Sequence, residues 1–587
     1  MSSPTSPRMG RGTFGLGGIS PELIIQMLHC CEYPNILSFA ATCKVYYELV
    51  AQSTSLQLHI ELEVNGLELV KGSFQRDTSY TVILNDLRRF RDGWLDLDLE
   101  APVDRLVGNS EMLLWELREG FYIRAFSRCE ERFSDALQLV PLDSEIPVPP
   151  PLTFNFTFNE FTADPGQELL AMLSRDPERN THVHVCLCSS TTGLAHSLAR
   201  YPRLTAEFDF EAPYFWPGFS IEIMGHLVVA KVLHPQAHIY ELLIWDWKAG
   251  ILLDRISSQR GICDFTFLDQ QHLIVFSSSR SEQEYLDTLA LLVYALSKDT
   301  PTCTASPNNG QLRVVDFPIS QPILRLEFPR ILESLKISET GFFLRSEPTP
   351  GRAMHTASAT FACAYAGTLS MTFFFRNTFD GWGGYPYYRV FLDGRFLLDQ
   401  VRRCPHDGTR VLPWSSWGTN ATRWFIEPEG PDHWICWMSG SRFITSLHDC
   451  PYFCIFDFSS PTVRRYRDRF ARLYPVALDH LVDHSDLVMA DGFQDLDRLA
   501  SDINLFSQKS PPDHELFSVT VDADNPCIIK ADEYLGFEES IASQLPYRLV
   551  FRTNNRTNHE GWQINGDCIV GVSSREISEA LTIYKLK

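Results

Sequence analysis

The chain has 587 residues, 44% hydrophobic and 12% aromatic, with a formal net charge of -22 at pH 7. That length is too great for a single core and implies two or three domains, and the composition is that of a folded protein. The charge argues against a general binder of nucleic acid or of anionic membranes, and no apolar run reaches the roughly 20 residues that a spanning helix needs. The 15 cysteines, scattered from Cys30 to Cys568 with no signal-peptide pattern ahead of them, read as reduced thiols of the cytosol or nucleus.

Residues 1–18 are Ser, Pro, Gly and Arg with almost nothing to bury, and read as a disordered tail. Gly10-Arg-Gly-Thr-Phe-Gly15 inside it spells G-x-G-x-x-G, but it follows a Ser/Pro tail and not a strand, so it is not a phosphate loop. Ordered structure begins at Ile19. Ser20 suits a helix N-cap and Pro21 the first helical position, with Leu23, Met27 and Leu28 following at helical spacing. Pro34 interrupts, and the chain restarts at about Asn35 with Ile36, Leu37, Phe39 and Ala40. Cys43, Tyr46, Tyr47, Leu49 and Val50 complete three short helices, too apolar and too few to bury themselves fully. Such a unit needs a partner surface.

Ile19-Ser20-Pro21-Glu22-Leu23, Asn35-Ile36-Leu37, Thr42-Cys43-Lys44 and the pair Tyr46-Tyr47 resemble the F-box, which usually reads Leu-Pro-x-Glu-Leu, Asp-Leu-Leu, then Cys-Lys or Ser-Lys and an aromatic. The chain departs from that pattern at Ile19, Ser20 and Asn35, and none of the three changes removes an apolar contact. The resemblance implies a docking site for the Skp-type adaptor of a cullin-RING ubiquitin ligase. Its adaptor-facing residues are then Ile19, Pro21, Glu22, Leu23, Leu28, Ile36, Leu37, Cys43, Lys44 and Tyr47.

The run Leu56-Gln-Leu58-His-Ile60-Glu-Leu62-Glu-Val64 alternates, as a strand does, and also fits the end of a helix. Asp86 to Trp94 reads as a charged helix ending at Gly93. Ile60-Glu61-Leu62 and Trp94, then Asp164-Pro165 with Glu168-Leu169-Leu170, then Ile244-Trp245-Asp246, resemble a large group of fungal F-box proteins of this length. From about Ala101 the pattern becomes short apolar runs between Gly, Pro, Asn, Asp and Ser. Examples are Met112 to Trp115, Leu169 to Leu173, Leu227 to Ala230, Leu242 to Trp245, Leu273 to Phe276, Leu291 to Tyr294, Met371 to Phe375, Tyr388 to Leu392, Trp434 to Trp437, Cys454 to Phe458 and Leu581 to Tyr584. Each is strand-sized. Leu242-Leu-Ile-Trp-Asp246-Trp-Lys-Ala-Gly250 resembles a WD-repeat blade, and Leu291 to Tyr294 and Cys454 to Phe458 echo it. A propeller buries both faces of such small sheets, and roughly 480 residues at about 40 to 60 each imply six to eight blades. Stacked β-sandwiches are the alternative.

The predicted architecture is therefore mixed: a small all-α F-box of three helices followed by a large mainly-β domain, a degenerate β-propeller. The segments are 1–18 (tail), 19–53 (F-box), 54–100 (helical linker) and 101–587 (mainly-β domain).

Chemistry is sparse. His182, His184, Cys186 and Cys188 share one face of a strand, but alternate residues lie roughly 6.6 Å apart, so four in line cannot share one zinc ion. His480-Leu-Val-Asp483-His484 is similar to H-x-x-E-H with a shorter acid and no third ligand, and carries a remote metallohydrolase reading. No nucleophile with partners appears, so the chain is read as no enzyme, with no cofactor and no metal. Arg464, Arg465, Arg467 and Arg469 form a basic cluster suited to an acidic or phosphorylated peptide and are the candidate substrate contact. The bland reading is an exposed turn paired to nearby Asp. The expected function is a substrate receptor of the ligase, acting on an unknown protein, without membrane or nucleic acid. The rival is a propeller scaffold with no ligase role.

Overall fold

The computed structural model describes residues 19–73, 78–108, 112–129, 132–214, 218–234, 238–280, 287–297, 311–356, 358–377, 386–405, 408–427, 437–446, 453–465, 516–532, 535–552, 559, 561–575 and 578–587. The tail expected over 1–18 lies outside them.

Helix α1 (Pro21–Leu28) follows Ser20, which holds the extended backbone of an N-cap. Pro34 stands within the first turn of α2 (Tyr33–Ala40), so it opens that helix instead of preceding it, at a position where a missing N–H costs nothing. Helix α3 (Lys44–Gln52) follows Cys43. Ile24, Leu28, Ile36, Ala40 and Val50 form a small core with Leu56. Leu56 belongs to α4 (Thr54–Val64), so the alternating run is a helix. Its alternation has a physical cause: Leu56 and Ile60, four apart, pack on the α1–α3 core, while Leu58 and Leu62 pack on the other side against α5 (Tyr80–Asp96). The helix predicted to end at Gly93 runs to Asp96 and closes on Leu97 in left-handed backbone, φ 48°.

Among the described residues after α5, seven mainly antiparallel sheets follow one another in a ring, beside two smaller sheets and two short helices. Blade one comprises Met112–Arg118, Phe121–Phe126, Ser134–Pro141 and Leu152–Phe158. Blade two starts at Glu160–Asp164, blade three at Phe219–Met224, blade four at Gly261–Asp269, blade six at Met438–Ser439 and blade seven at Gly561–Asn565. In blade five, Leu335–Ile337 and Phe343–Arg345 share the partner strand Thr368–Asn377. Each blade's first strand packs on its neighbour's sheet, and that of blade seven meets that of blade one. The ring is also closed in sequence: Val103–Gly108 from before blade one forms the outer strand of blade seven, against Ser578–Lys585. Blades two and four carry an extra parallel edge strand each, Gln311–Arg313 and Arg410–Leu412, which shields an edge.

The expected runs lie in strands, such as Leu169–Arg175, Leu227–His234 and Phe453–Asp457. Of Trp434 to Trp437, only Trp437 is described, just before Met438–Ser439. The Trp245-Asp246 segment ends the third strand of blade three. There Asp246 accepts from the Ala249 amide at 2.8 Å, and Gly250 adopts φ 69° beneath Tyr201, whose ring would lie 2.4 Å from an added Cβ.

Candidate functional site

The helical unit keeps a second set of apolar side chains in solvent. Leu23 and Met27, four residues apart on one stripe of α1, are exposed, as are Ile19 just before the helix, Leu37 on α2 and Val45 and Tyr47 on α3. Pro21, Glu22, Cys43 and Lys44 are exposed as well. Leu28 and Ile36 are not available to a partner: both lie in the unit's own core, Ile36 with 0% exposure, because they sit on the inward stripes of α1 and α2. Of the expected adaptor contacts, these two serve the packing of the unit itself. Met27 and Val45 are additional exposed positions; the i, i+4 step from Leu23 marks Met27 in the sequence, whereas no pattern marks Val45.

The unit is bolted to the ring by charge. Glu63 on α4 accepts the Tyr33 amide at 2.6 Å and the Arg395 guanidinium at 3.1 Å, and Arg395 also lies 4.6 Å over the Tyr33 ring. Arg395 belongs to α6 (Gly394–Val401) of blade five, and Arg402 just beyond it pairs with Glu32 at 2.7 Å. A cleft of about 390 Å³ lies at this joint, between His59, Glu63 and Leu67 on one wall and Tyr365, Arg395 and Arg402 on the other. Leu67–Leu69 crosses the joint by pairing with Thr360–Cys363. Glu61, 3% exposed, receives Arg91 of α5 at 2.6 Å and Arg465 at 2.7 Å. Burial alone would raise the Glu61 carboxyl, but the two guanidinium groups hold it below its usual range.

That pairing changes the reading of the arginine cluster. Arg465 reaches back to the helical unit and serves the joint, Arg464 is exposed, and Arg467 and Arg469 lie outside the described residues. His480 and His484 also lie outside them. His184 bonds Thr205 at 2.9 Å and Asp176 at 3.1 Å. Cys186 and Cys188 pack into the seam between blades one and two, where burial pushes their thiols up to about 12 and about 11. Among the described residues no group of three or more His, Cys, Asp or Glu is placed to hold a metal ion.

Charged side chains from several blades converge within the ring. Arg118, from the first strand of blade one, donates to Glu116 at 2.6 Å, to Glu222 of blade three and to Glu347, two residues beyond the inner strand of blade five. Groups from blades that are not neighbours meet here, so the guanidinium spans the axis. Glu116 also accepts Thr162 Oγ1 at 2.8 Å and the Ala163 amide at 2.9 Å from blade two. Beside it Asp264, fully buried, binds Lys231 at 3.0 Å, Arg345 and the Leu344 amide at 3.0 Å. Burial pushes Glu347 up to about 7; Arg118 opposes that shift, and the Glu222 charge adds to it. Burial likewise raises Glu160 to about 7. Asp264 stays low despite burial because Arg345 and Lys231 compensate it.

No protein-family model matches the chain, and no curated protein matches it. Among solved structures it is similar to the WD40 β-propeller domain of Doa1, at 9% identity and TM-score 0.25 over 84% of this chain and 97% of that one. It is also similar to the WD40 domain of SCAP from fission yeast, at 7% identity and TM-score 0.25 over 83% and 98%. These overlaps are too loose to carry an argument, and the propeller is read from the order of the chain's own sheets.

Proposed function

We propose that this chain is a non-enzymatic substrate receptor of a Skp/cullin/F-box ubiquitin ligase in the cytoplasm or nucleus. The observation that supports the reading is the exposed apolar set Ile19, Leu23, Met27, Leu37, Val45 and Tyr47, on and just before the three helices that carry the F-box-like residues. The unit spends its inward residues on its own core and leaves these for a partner. The ring holds a protein target, and the ion-paired joint keeps the two in a fixed relation. Tethering then raises the local concentration of target lysines near the charged ubiquitin enzyme.

A pull-down of the purified chain with a Skp-type adaptor tests this, beside the double variant Pro21→Ala, Leu23→Asp. Leu23 is 53% exposed, so the variant keeps its circular dichroism and loses the adaptor. A parent that does not bind ends the ligase reading. The second reading, an interaction scaffold capped by its helices, is favoured by the contacts of Glu32 with Arg395 and Arg402 and of Tyr33 with Arg395. It predicts that removing residues 1–53 destabilises the ring itself, whereas a receptor keeps a folded ring and loses only the adaptor. Elemental analysis of the purified chain tests the remote metallohydrolase reading at His480 and His484, which bound metal would revive.

A further inference from the structure

Between the third and fourth strands of blade one, the chain reads Leu142-Asp-Ser-Glu-Ile-Pro-Val-Pro-Pro-Pro151. Leu142 is buried, but every residue from Ser144 to Pro151 is exposed, including Ile146 at 47% and Val148 at 36%. The segment is nevertheless held at both ends. Arg105 donates to the carbonyls of Asp143 and Ile146, the Asp143 carboxylate accepts the Glu145 amide at 3.0 Å, and Leu152 enters the last strand of the blade opposite Leu137. Residues 147–151 take part in neither helix nor strand.

Four of those five residues are proline. Each ring fixes φ near -65°, and each residue before a proline is driven to extended backbone, so the stretch is set to polyproline II. That helix has three residues per turn, which places Pro147 and Pro150 on one edge and Val148 and Pro151 on the next. Val148 carries the only backbone N–H among the five, leaving a row of bare carbonyl acceptors. Among the described residues, Ile146 and Val148 belong to none of the hydrophobic clusters. The ordering entropy of a bound proline-rich peptide has here been met by folding.

We infer that residues 146–151 are a docking peptide for a protein domain with an aromatic-lined, proline-reading groove. Pro147 and Pro150 fit two adjacent slots of such a groove, and tryptophan or tyrosine donors meet the exposed carbonyls. Asp143 and Glu145 precede the motif and Arg105 lies on its N-terminal carbonyls, so a groove that reads it meets mixed charge at that end, with Glu145 the acid nearest the prolines.

The test is titration of the purified full chain against a panel of isolated SH3, WW and EVH1 domains, read by fluorescence anisotropy of the labelled domain. At least one domain binds, Pro147→Ala with Pro150→Ala weakens it at least about tenfold, and Glu145→Gln weakens it about twofold with a shallower salt dependence. A synthetic peptide of residues 142–152 competes, which keeps the test valid if the proline variant lowers stability. If no domain binds the parent, or if the variant binds equally and the peptide does not compete, the proline run is a rigid connection only and the inference falls.

Discussion

The helical unit and the ring face the same burial problem and answer it differently. The ring closes on itself: sheet packs on sheet around the circle, the strand before blade one completes blade seven, and charges from blades one, three and five meet at Arg118. The helices have no such closure. Their inner stripes make one small core with Leu56, and the outer stripe through Leu23 and Met27 stays in water. The ring covers its own apolar faces, whereas the helical unit leaves apolar area in water, which is what the proposed docking rests on.

Substitutions on the two sides sharpen that contrast. The largest effect is expected at the axis: Arg118→Met leaves Glu116, Glu222 and Glu347 without their shared cation and costs about 3–5 kcal/mol, read as a lower melting temperature of the whole ring. Ile36→Ala, at a position with 0% exposure, costs about 2–5 kcal/mol, confined to the unit. Hydrogen exchange then shows α1–α3 opening while the ring amides stay protected; equal deprotection of both would break the distinction. The nearby Leu23→Asp has the opposite signature, with stability kept and the adaptor lost.

Protonation supplies a smaller effect. Glu347 has a folded pKa of about 7 against a usual 4.5, so between these values the folded state binds more protons than the unfolded one. Stability contributed by this group therefore falls as pH rises through about 4.5 to 7. Arg118, Arg352, Glu116 and Glu222 act on it, and Cys363 lies near. The low-lying His29 and His184 oppose this trend below their usual range. The measurement is consequently a difference: Glu347→Gln should flatten the decline in melting temperature from pH 5.5 to 8 relative to the parent, and an unchanged profile would remove Glu347 as its source. The smallest effect belongs to Arg402→Ala at the joint, where the side chain is 60% exposed and the loss should stay below about 1 kcal/mol by denaturant titration.

Much of this was legible along the chain. Ser20, Pro21 and the apolar spacing mark α1, and Trp245-Asp246 with Gly250 marks a strand and its turn, because caps and turns are made by neighbours. Pro34 misled by two residues, since a proline is accepted inside a first turn as readily as before one. The run Leu56 to Val64 could not be resolved by periodicity, because a helix buried on two sides shows the same alternation as a strand. The adaptor set was half separable: type and spacing name apolar positions, but whether Leu28 faces inward and Leu23 outward depends on where α4 packs.

The local elements and the change from helical to strand-sized runs near Ala101 are written in the chain, since each is set by residues within a turn or two of one another. The number of blades in the ring, the strand that closes it and the charges that share a partner are set by contacts far apart in the chain. Arg118 and Glu347 are 229 residues apart, and Arg465 and Glu61 are 404 apart. No local preference couples such positions. They are joined because closing the ring brings buried charges together, where each must find an opposite charge or lose its own.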